Sequence, residues 1–204
     1  MTLTLDHLAV SAAVLGEGVA WVEAALGVTM AAGGQHARMG THNRLLSLGD
    51  LYLEVIAVDP AAPAPAGPRW FDLDRFAGPP RLTNWVARCD DLDAELAAGP
   101  DGLGDPMAFQ RGDYRWRMAV PGDGRLPFDG AHPALIQWEG DLHPARLLPD
   151  AGVRLTALEL RHPDAAALHG ALSGRLRDPR VTFVTGPLAL QSEFVTPSGV
   201  RRLG

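Results

Sequence analysis

The sequence contains no lysine, and all eighteen of its basic side chains are arginines. Without a lysine amine the chain cannot form a side-chain Schiff base with a carbonyl substrate, which excludes one class of covalent catalysis. The arginines are not clustered, and the formal net charge is −6. Because surfaces that bind nucleic acid carry clustered positive charge, we expect no nucleic-acid partner.

Cysteine is almost as scarce. Cys89 is the only one, which excludes an internal disulfide and a cysteine-rich zinc site. It ends an apolar, strand-like run over residues 82–89. A thiol in such a setting is expected to be buried and unreactive.

Long apolar segments and the common nucleotide or nucleophile motifs are also missing. No run approaches the ~18 apolar residues that a membrane span needs, and the N-terminus lacks the basic region of a signal peptide. We therefore expect a cytoplasmic protein without membrane association. The sequence has no P-loop, GxGxxG, GxSxG or HExxH motif, so no nucleotide cofactor is expected.

What is present is a repeated order of elements. Residues 1–60 predict a first βαβββ module, in which Gly49 begins a two-residue turn between the last two strands. Residues 81–145 repeat that order as a second βαβββ module. Residues 150–204 predict a partial third βαββ unit that packs on the others.

A proline-rich crossover over residues 61–80 separates the first two modules. It contains Trp70, Phe71 and Phe76, which are too apolar for a free tether. We expect these aromatic side chains to pack on the domain or over the mouth of a pocket.

Short stretches of the two modules can be aligned with each other. The strands DHLAV and TNWVA place His7 and Asn84 at equivalent positions, and YLEVI and LIQWE do the same for Glu54 and Gln137. Alternation along a strand then predicts that Trp138, directly after Gln137, points to the opposite face, between sheet and helices. Trp85, directly after Asn84, has the same prediction.

Four motifs point to a family. They are Asp6-His7, Gly33-Gly34-Gln35-His36, Gly40-Thr41-His42-Asn43 and Leu53-Glu54. With these motifs the chain resembles glyoxalase-like members of the vicinal oxygen chelate superfamily, which includes glyoxalases, bleomycin resistance proteins and extradiol dioxygenases. The match is good over residues 3–58 and looser over 82–140.

The resemblance implies an α+β fold, with paired βαβββ modules forming a curved mixed sheet around a cavity. In metal-dependent members of the superfamily, the first and last strands of each module supply His, Glu or Gln ligands to a divalent ion. The resemblance therefore makes His7 and Glu54 candidate ligands for zinc, nickel, iron or manganese, and a histidine nitrogen and a carboxylate suit such ions.

The other candidate site residues divide into two groups. Glu54 and His36 are candidates for moving a proton, and Asn43, Asn84 and Gln137 are candidates for binding substrate. Because neutral amides are poor ligands for these metals, a second interpretation stays open. In that interpretation His7, Glu54 and the amides form a hydrogen-bonding floor for a polar ligand without a metal.

Two main functions follow from these expectations. The first is a lyase, isomerase or dioxygenase acting on a small oxygenated metabolite. The alternative is a non-catalytic protein of the same fold that binds or sequesters a small molecule, as resistance proteins do. A domain retained only for assembly is a third possibility, and the cavity could close within one chain or across a homodimer.

Overall fold

The computed structural model describes residues 2–204. Met1, at which the predicted first module begins, lies outside the described residues. No helix in the described chain is long and apolar enough to cross a membrane.

The first module has the predicted order of elements. Its helix ends at Gly27, whose φ of 70° suits a residue without a side chain, and Gly49 in the last turn has a φ of 93°. The elements are β1 (Thr4–Ser11), α1 (Leu15–Leu26), β2 (Gln35–His36), β3 (Thr41–Ser47) and β4 (Tyr52–Val58).

The second module has the predicted βαβββ order, but the sequence pattern predicted no strand over the residues that form its third element. This strand, β6, lies at the edge of the sheet and is largely exposed. The elements are β5 (Arg81–Arg88), α2 (Leu92–Ala98), β6 (Asp105–Arg111), β7 (Tyr114–Val120) and β8 (Ala134–Trp138).

The two modules share one curved, mixed sheet of eight strands, as the resemblance implies. The strand order is β2-β3-β4-β1-β5-β8-β7-β6, and the modules join where β1 and β5 pair antiparallel. The curvature brings the ends of the sheet together, because Arg38, beyond β2, donates a hydrogen bond of 2.8 Å to the carbonyl oxygen of Ala108 on β6. The concave face is therefore almost enclosed.

The two faces of the sheet are covered differently. The convex face packs on the helices and the third unit, and Trp85 is fully buried there, as predicted. The concave face is filled by the crossover, whose 3₁₀ segment (Trp70–Arg75) buries Trp70, Phe71 and Leu73. Packing of the crossover aromatics on the domain is thus confirmed.

The third unit forms a separate four-stranded sheet of order β10-β9-β11-β12, behind the convex face. It has one strand more than predicted, because the chain turns at Pro197 and Ser198 and continues from Gly199 as β12. A short helix, α3 (Pro144–Leu147), precedes the unit. Its elements are β9 (Arg154–His162), α4 (Ala165–Leu172), β10 (Val181–Thr185), β11 (Ala189–Thr196) and β12 (Gly199–Leu203).

Candidate functional site

The candidate site begins at an irregularity in β1. The pairing of β1 with β5 shifts by one residue between Leu5 and His7, so Asp6 is an extra, bulged residue. Leu5 and Leu8 both face the convex core although two residues separate them. The bulge brings the carboxylate of Asp6 within 2.6 Å of His7 Nδ1.

Asp6 is completely buried and is held by other donors as well. Its second carboxylate oxygen accepts hydrogen bonds from Trp138 Nε1 at 3.0 Å and from His143 Nε2 at 2.9 Å. The carboxylate therefore fixes the orientation of the His7 ring, and the other ring nitrogen points into the concave face.

Glu54, on the neighbouring strand β4, continues this chain of polar groups. Its Oε1 lies 3.5 Å from His7 Nε2, and its Oε2 accepts a hydrogen bond of 2.8 Å from Asn43 Nδ2. Both Glu54 and His7 are about 95% buried. Two carboxylates thus flank one imidazole within the folded core.

Asn43 connects Glu54 to a cation from the far edge of the sheet. Its Oδ1 accepts hydrogen bonds from the backbone N–H of Gly34 at 2.9 Å and from Arg111 Nη1 at 3.0 Å. The chain passes so close here that a Cβ on Gly33 would lie 2.0 Å from the Asn43 carbonyl oxygen. This close approach explains the paired glycines.

His36 is the last polar member of the site. Its Nε2 lies 3.5 Å from Arg111 Nη1, and its Nδ1 lies 3.1 Å from Thr41 Oγ1. Because a guanidinium only donates, Nε2 is the acceptor and Nδ1 carries the proton toward Thr41. The neighbouring tryptophans Trp70 and Trp116 contact the ring with edge-to-face geometry.

Burial and neighbouring charges shift the pKa values of these groups in different directions. Burial would raise the pKa of Asp6 and of Glu54, but hydrogen bonds from His143 and His7 to Asp6, and from His7 and Asn43 to Glu54, lower both values. Burial would lower the pKa of His7, but its two carboxylate neighbours raise it to about 9. Burial lowers the pKa of His36 to about 4. At neutral pH the site therefore holds two carboxylates, an imidazolium and a neutral imidazole.

The raised pKa of His7 predicts a pH-dependent stability. Its ordinary value is 6.5 and its folded value is about 9, so its contribution is complete below pH 6.5 and is lost as the pH rises through about 9. We expect the free energy of unfolding in urea to fall by a few kcal/mol over this range. His7→Gln should remove most of that fall, whereas the exposed control His169→Gln should keep it. Equal pH profiles for wild type and His7→Gln would contradict the assignment.

The space between these groups is small and lined with aromatic rings. It measures about 30 Å³, room for one or two water molecules. Tyr52 stacks on His7 with ring centroids 4.4 Å apart, and Trp70, Trp116 and Trp138 also line the space. We call it the small cavity.

A second, larger cavity of about 810 Å³ lies on the other side of Phe71, which borders both. We call it the large cavity. Its walls come from the 3₁₀ segment of the crossover, the start of β5, the loop over residues 124–130 and the start of β11. The large cavity therefore lies between the crossover, the edge of the central strand pair and the third unit.

The donor set of the small cavity does not fit a tightly held divalent metal. Its ligand-type side chains are His7, Glu54 and His36, but Nε2 of His36 faces the guanidinium of Arg111 at 3.5 Å. Across residues 2–204 no group of three or more His, Cys, Asp or Glu side chains is arranged to hold an ion. The guanidinium of Arg111 supplies positive charge beside Asn43 instead.

The structure brings four of the predicted site residues together and separates the other two. His7, His36, Asn43 and Glu54 line the small cavity, whereas Asn84 lines the large one. Gln137 faces neither cavity, because its side chain bonds the backbone of Leu92 and Asp90 at the start of α2.

The prediction for Gln137 and Trp138 was wrong by one residue. In β8 the inward positions are Ile136 and Trp138, which pair with the inward residues Met118 and Trp116 of β7. Alternation then turns Gln137 outward. The predicted equivalence of Gln137 with Glu54 therefore fails.

Sequence reasoning missed three members of the site: Asp6 as a partner of His7, and Arg111 and His143. A signal for Asp6 was present, because two polar residues stand between Leu5 and Leu8 and break the two-residue period of a strand. Arg111 ends the unpredicted edge strand β6 and His143 precedes α3, so nothing in their local sequence marked either of them.

Comparison with known proteins agrees with this architecture. The model of a family described as a glyoxalase-like domain matches residues 5–176. No curated protein matches the sequence.

Three solved structures illustrate the likeness. A hypothetical protein from Staphylococcus aureus is 12% identical, with a TM-score of 0.57, over 98% of this chain and 85% of that one. A methylmalonyl-CoA epimerase from Mycobacterium tuberculosis is 18% identical, with a TM-score of 0.43, over 68% of this chain and 88% of that one. A variant of the Streptomyces coelicolor epimerase in complex with 2-nitronate-propionyl-CoA is 16% identical, with a TM-score of 0.44, over 70% and 98%.

The Staphylococcus aureus structure has the same fold over nearly the whole chain. The family model covers most of the chain, including nearly all of both modules and the four predicted site residues of the small cavity. The chain therefore belongs to the glyoxalase-like domain family.

Proposed function

We propose that this protein is an enzyme that moves a proton on a small oxygenated compound, as an isomerase or a lyase does. The observation that carries the proposal is the buried chain of Asp6, His7 and Glu54, in which two ionised carboxylates flank an imidazolium. Burying three charges is costly unless they are paired and hydrogen-bonded. Perturbed titratable groups in a cavity are typical of active sites.

Each group has a role in such a reaction. Glu54 is deprotonated at neutral pH and accepts the proton from a substrate carbon next to a carbonyl or carboxylate. The electron pair of the broken C–H bond moves onto the neighbouring oxygen, which takes a proton from His7 or is held by Arg111 as an anion. Asp6 holds the His7 ring in place during the transfer.

The small cavity must widen for this reaction, because about 30 Å³ does not hold a substrate. The residues that close it on one side, Trp70 and Phe71, belong to the crossover and not to the sheet. We infer that an outward movement of these rings admits the substrate. No step of this scheme passes through a metal.

The experiment is solvent exchange. Small 2-oxo acids, 2-hydroxy acids and 1,2-dicarbonyl compounds are incubated with the protein in deuterated water, and loss of their C–H signals is followed by proton NMR. We expect at least one compound to exchange faster than in buffer. In the Arg111→Met variant, the concentration of this compound that gives half-maximal exchange should rise about tenfold or more, because a charged hydrogen-bond partner is lost. Arg115→Met, an exposed arginine on β7, is the matched control.

Non-catalytic binding is the second candidate, and the volume of the large cavity favours it. Thermal-shift or NMR binding of a compound without exchange would support sequestration over catalysis. A panel that neither binds nor exchanges would contradict both functions.

A further inference from the structure

We propose that the large cavity is a second ligand site, distinct from the His7–Glu54 site and selective for an amphipathic anion. In this proposal the apolar body of the ligand fills the cavity, a hydrogen-bonding group meets Asn84, and an anionic group meets Arg81 at the rim. The volume of about 810 Å³ is in the range of cavities that enclose ligands of ~300–1,000 Å³.

Asn84 is a largely buried polar residue in the wall of this cavity. It is 95% buried, yet among residues 2–204 its side-chain amide makes no hydrogen bond. A Cβ atom placed on Gly130, which lines the same cavity, would lie 4.0 Å from Asn84 Nδ2. The polar atoms of Asn84 are therefore open to the cavity, where a ligand can supply the partners that a largely buried amide normally has.

Asn84 is placed by a second irregularity of the β1–β5 pair. The register shifts again between Ala9 and Val10, which makes Thr83 the extra residue of β5. The Thr83 hydroxyl is tied to Ser11 Oγ at 2.6 Å. Bulges of this kind redirect side chains next to binding sites. The first bulge places His7 in the small cavity, and the second places Asn84 in the large one.

Backbone strain is concentrated in the wall of the large cavity. Phe71, Asp72, Phe128 and Asp129 are the only residues other than glycine with a positive φ in the described chain, at 53–58°, and all four line this cavity. Such conformations cost about 1–3 kcal/mol each and persist where the surrounding structure enforces them, most often at ligand-binding and active sites. Their coincidence here argues for a built site.

The charges at the rim favour an anion. Arg81 has no carboxylate partner in the described part of the chain; it stacks on Phe76 at 4.4 Å and donates only to backbone carbonyls. The carboxylate of Asp72 is already paired with Arg75 at 2.5 Å and Arg125 at 3.3 Å. Asp129 also lines the cavity, so three arginines face two carboxylates there and the balance is positive. Arg81 is the lining arginine without a carboxylate partner among residues 2–204, and a flat apolar anion suits it.

The test uses 8-anilinonaphthalene-1-sulfonate. Its rings match the apolar part of the cavity, its N–H group matches Asn84, and its sulfonate matches Arg81. A fluorescence titration of the full chain should show saturable binding. We expect Asn84→Ala to weaken binding about three- to tenfold, and Arg81→Glu about tenfold or more. Arg177→Glu, an exposed arginine without an ion-pair partner in the described chain, is the charge-matched control and should leave the affinity unchanged.

The position of the probe is checked by amide NMR. The side-chain signals of Asn84, identified by their loss in Asn84→Ala, should shift during the titration. Glu54→Gln should bind the probe as the wild type does, which separates this proposal from the proton-transfer function. The proposal is overturned by absent saturable binding, by wild-type affinity in Arg81→Glu and Asn84→Ala, or by loss of binding in Glu54→Gln.

Discussion

Replacing Glu54 with glutamine is expected to slow the solvent exchange of the active compound by about 10²- to 10⁴-fold, the usual contribution of a positioned proton acceptor. The substitution keeps the size of the side chain and removes its basicity. The fold should survive, because a glutamine oxygen can still accept from Asn43 and its amide can donate to a neutral His7. The measurement is the first-order loss of the C–H signal in deuterated water, with equal concentrations of folded protein.

Glu139→Gln is the matched control, since it makes the same chemical change at an exposed position just beyond β8. It should exchange the compound at the wild-type rate. A Glu54→Gln protein within threefold of wild type would rule out Glu54 as the proton acceptor. A large loss of folded protein in Glu54→Gln, seen by circular dichroism, would instead assign Glu54 a structural role.

The second large effect is expected from removing the Trp70 ring, which should lower the stability of the fold. Trp70 is 4% exposed and packs against His36, Phe71 and Phe109 with ring centroids 5.1–5.9 Å apart. Trp70→Ala should lower the free energy of unfolding by about 3–5 kcal/mol, the range for removing a large buried ring. Urea unfolding followed by circular dichroism measures it.

Trp70→Phe provides a control with a specific expectation. The indole N–H of Trp70 is buried without a hydrogen-bond partner in the described chain. Phenylalanine removes this unpaired donor, a gain of about 1–3 kcal/mol that offsets the loss of ring area. Trp70→Phe should therefore lower the free energy of unfolding by less than half as much as Trp70→Ala does. Equal costs for the two variants would show that the unpaired N–H carries no penalty.

The fold was largely predictable because strands and turns have local signals. Both modules and their order followed from apolar periodicity and from turn residues such as Gly49. The position of β6 did not, because an edge strand exposed on most of its length has no apolar alternation to detect. Because Arg111 is the last residue of β6, missing this strand also meant missing a residue of the candidate site.

Of the candidate site, only the residues contributed by the first module were predictable. Family-like motifs identified His7, His36, Asn43 and Glu54, which do meet in one cavity. In the second module, the face of each residue depends on the pairing of β7 with β8, and Gln137 and Trp138 are adjacent polar and aromatic residues that fit either face by composition. The burial of Asp6 against His143 joins residues 137 positions apart, a contact that no local pattern encodes.

The two bulges of the central strand pair have a further consequence. Asp6 adds one residue to β1, Thr83 adds one to β5, and the pairing beyond both returns to the register it had before them. The insertions compensate each other, so the strand ends stay aligned with the elements that follow. A deletion of Asp6 or of Thr83 alone should therefore be tolerated far less well than deletion of both, which would restore a regular ladder. In this protein the lengths of two strands that are distant in sequence are therefore coupled through their pairing.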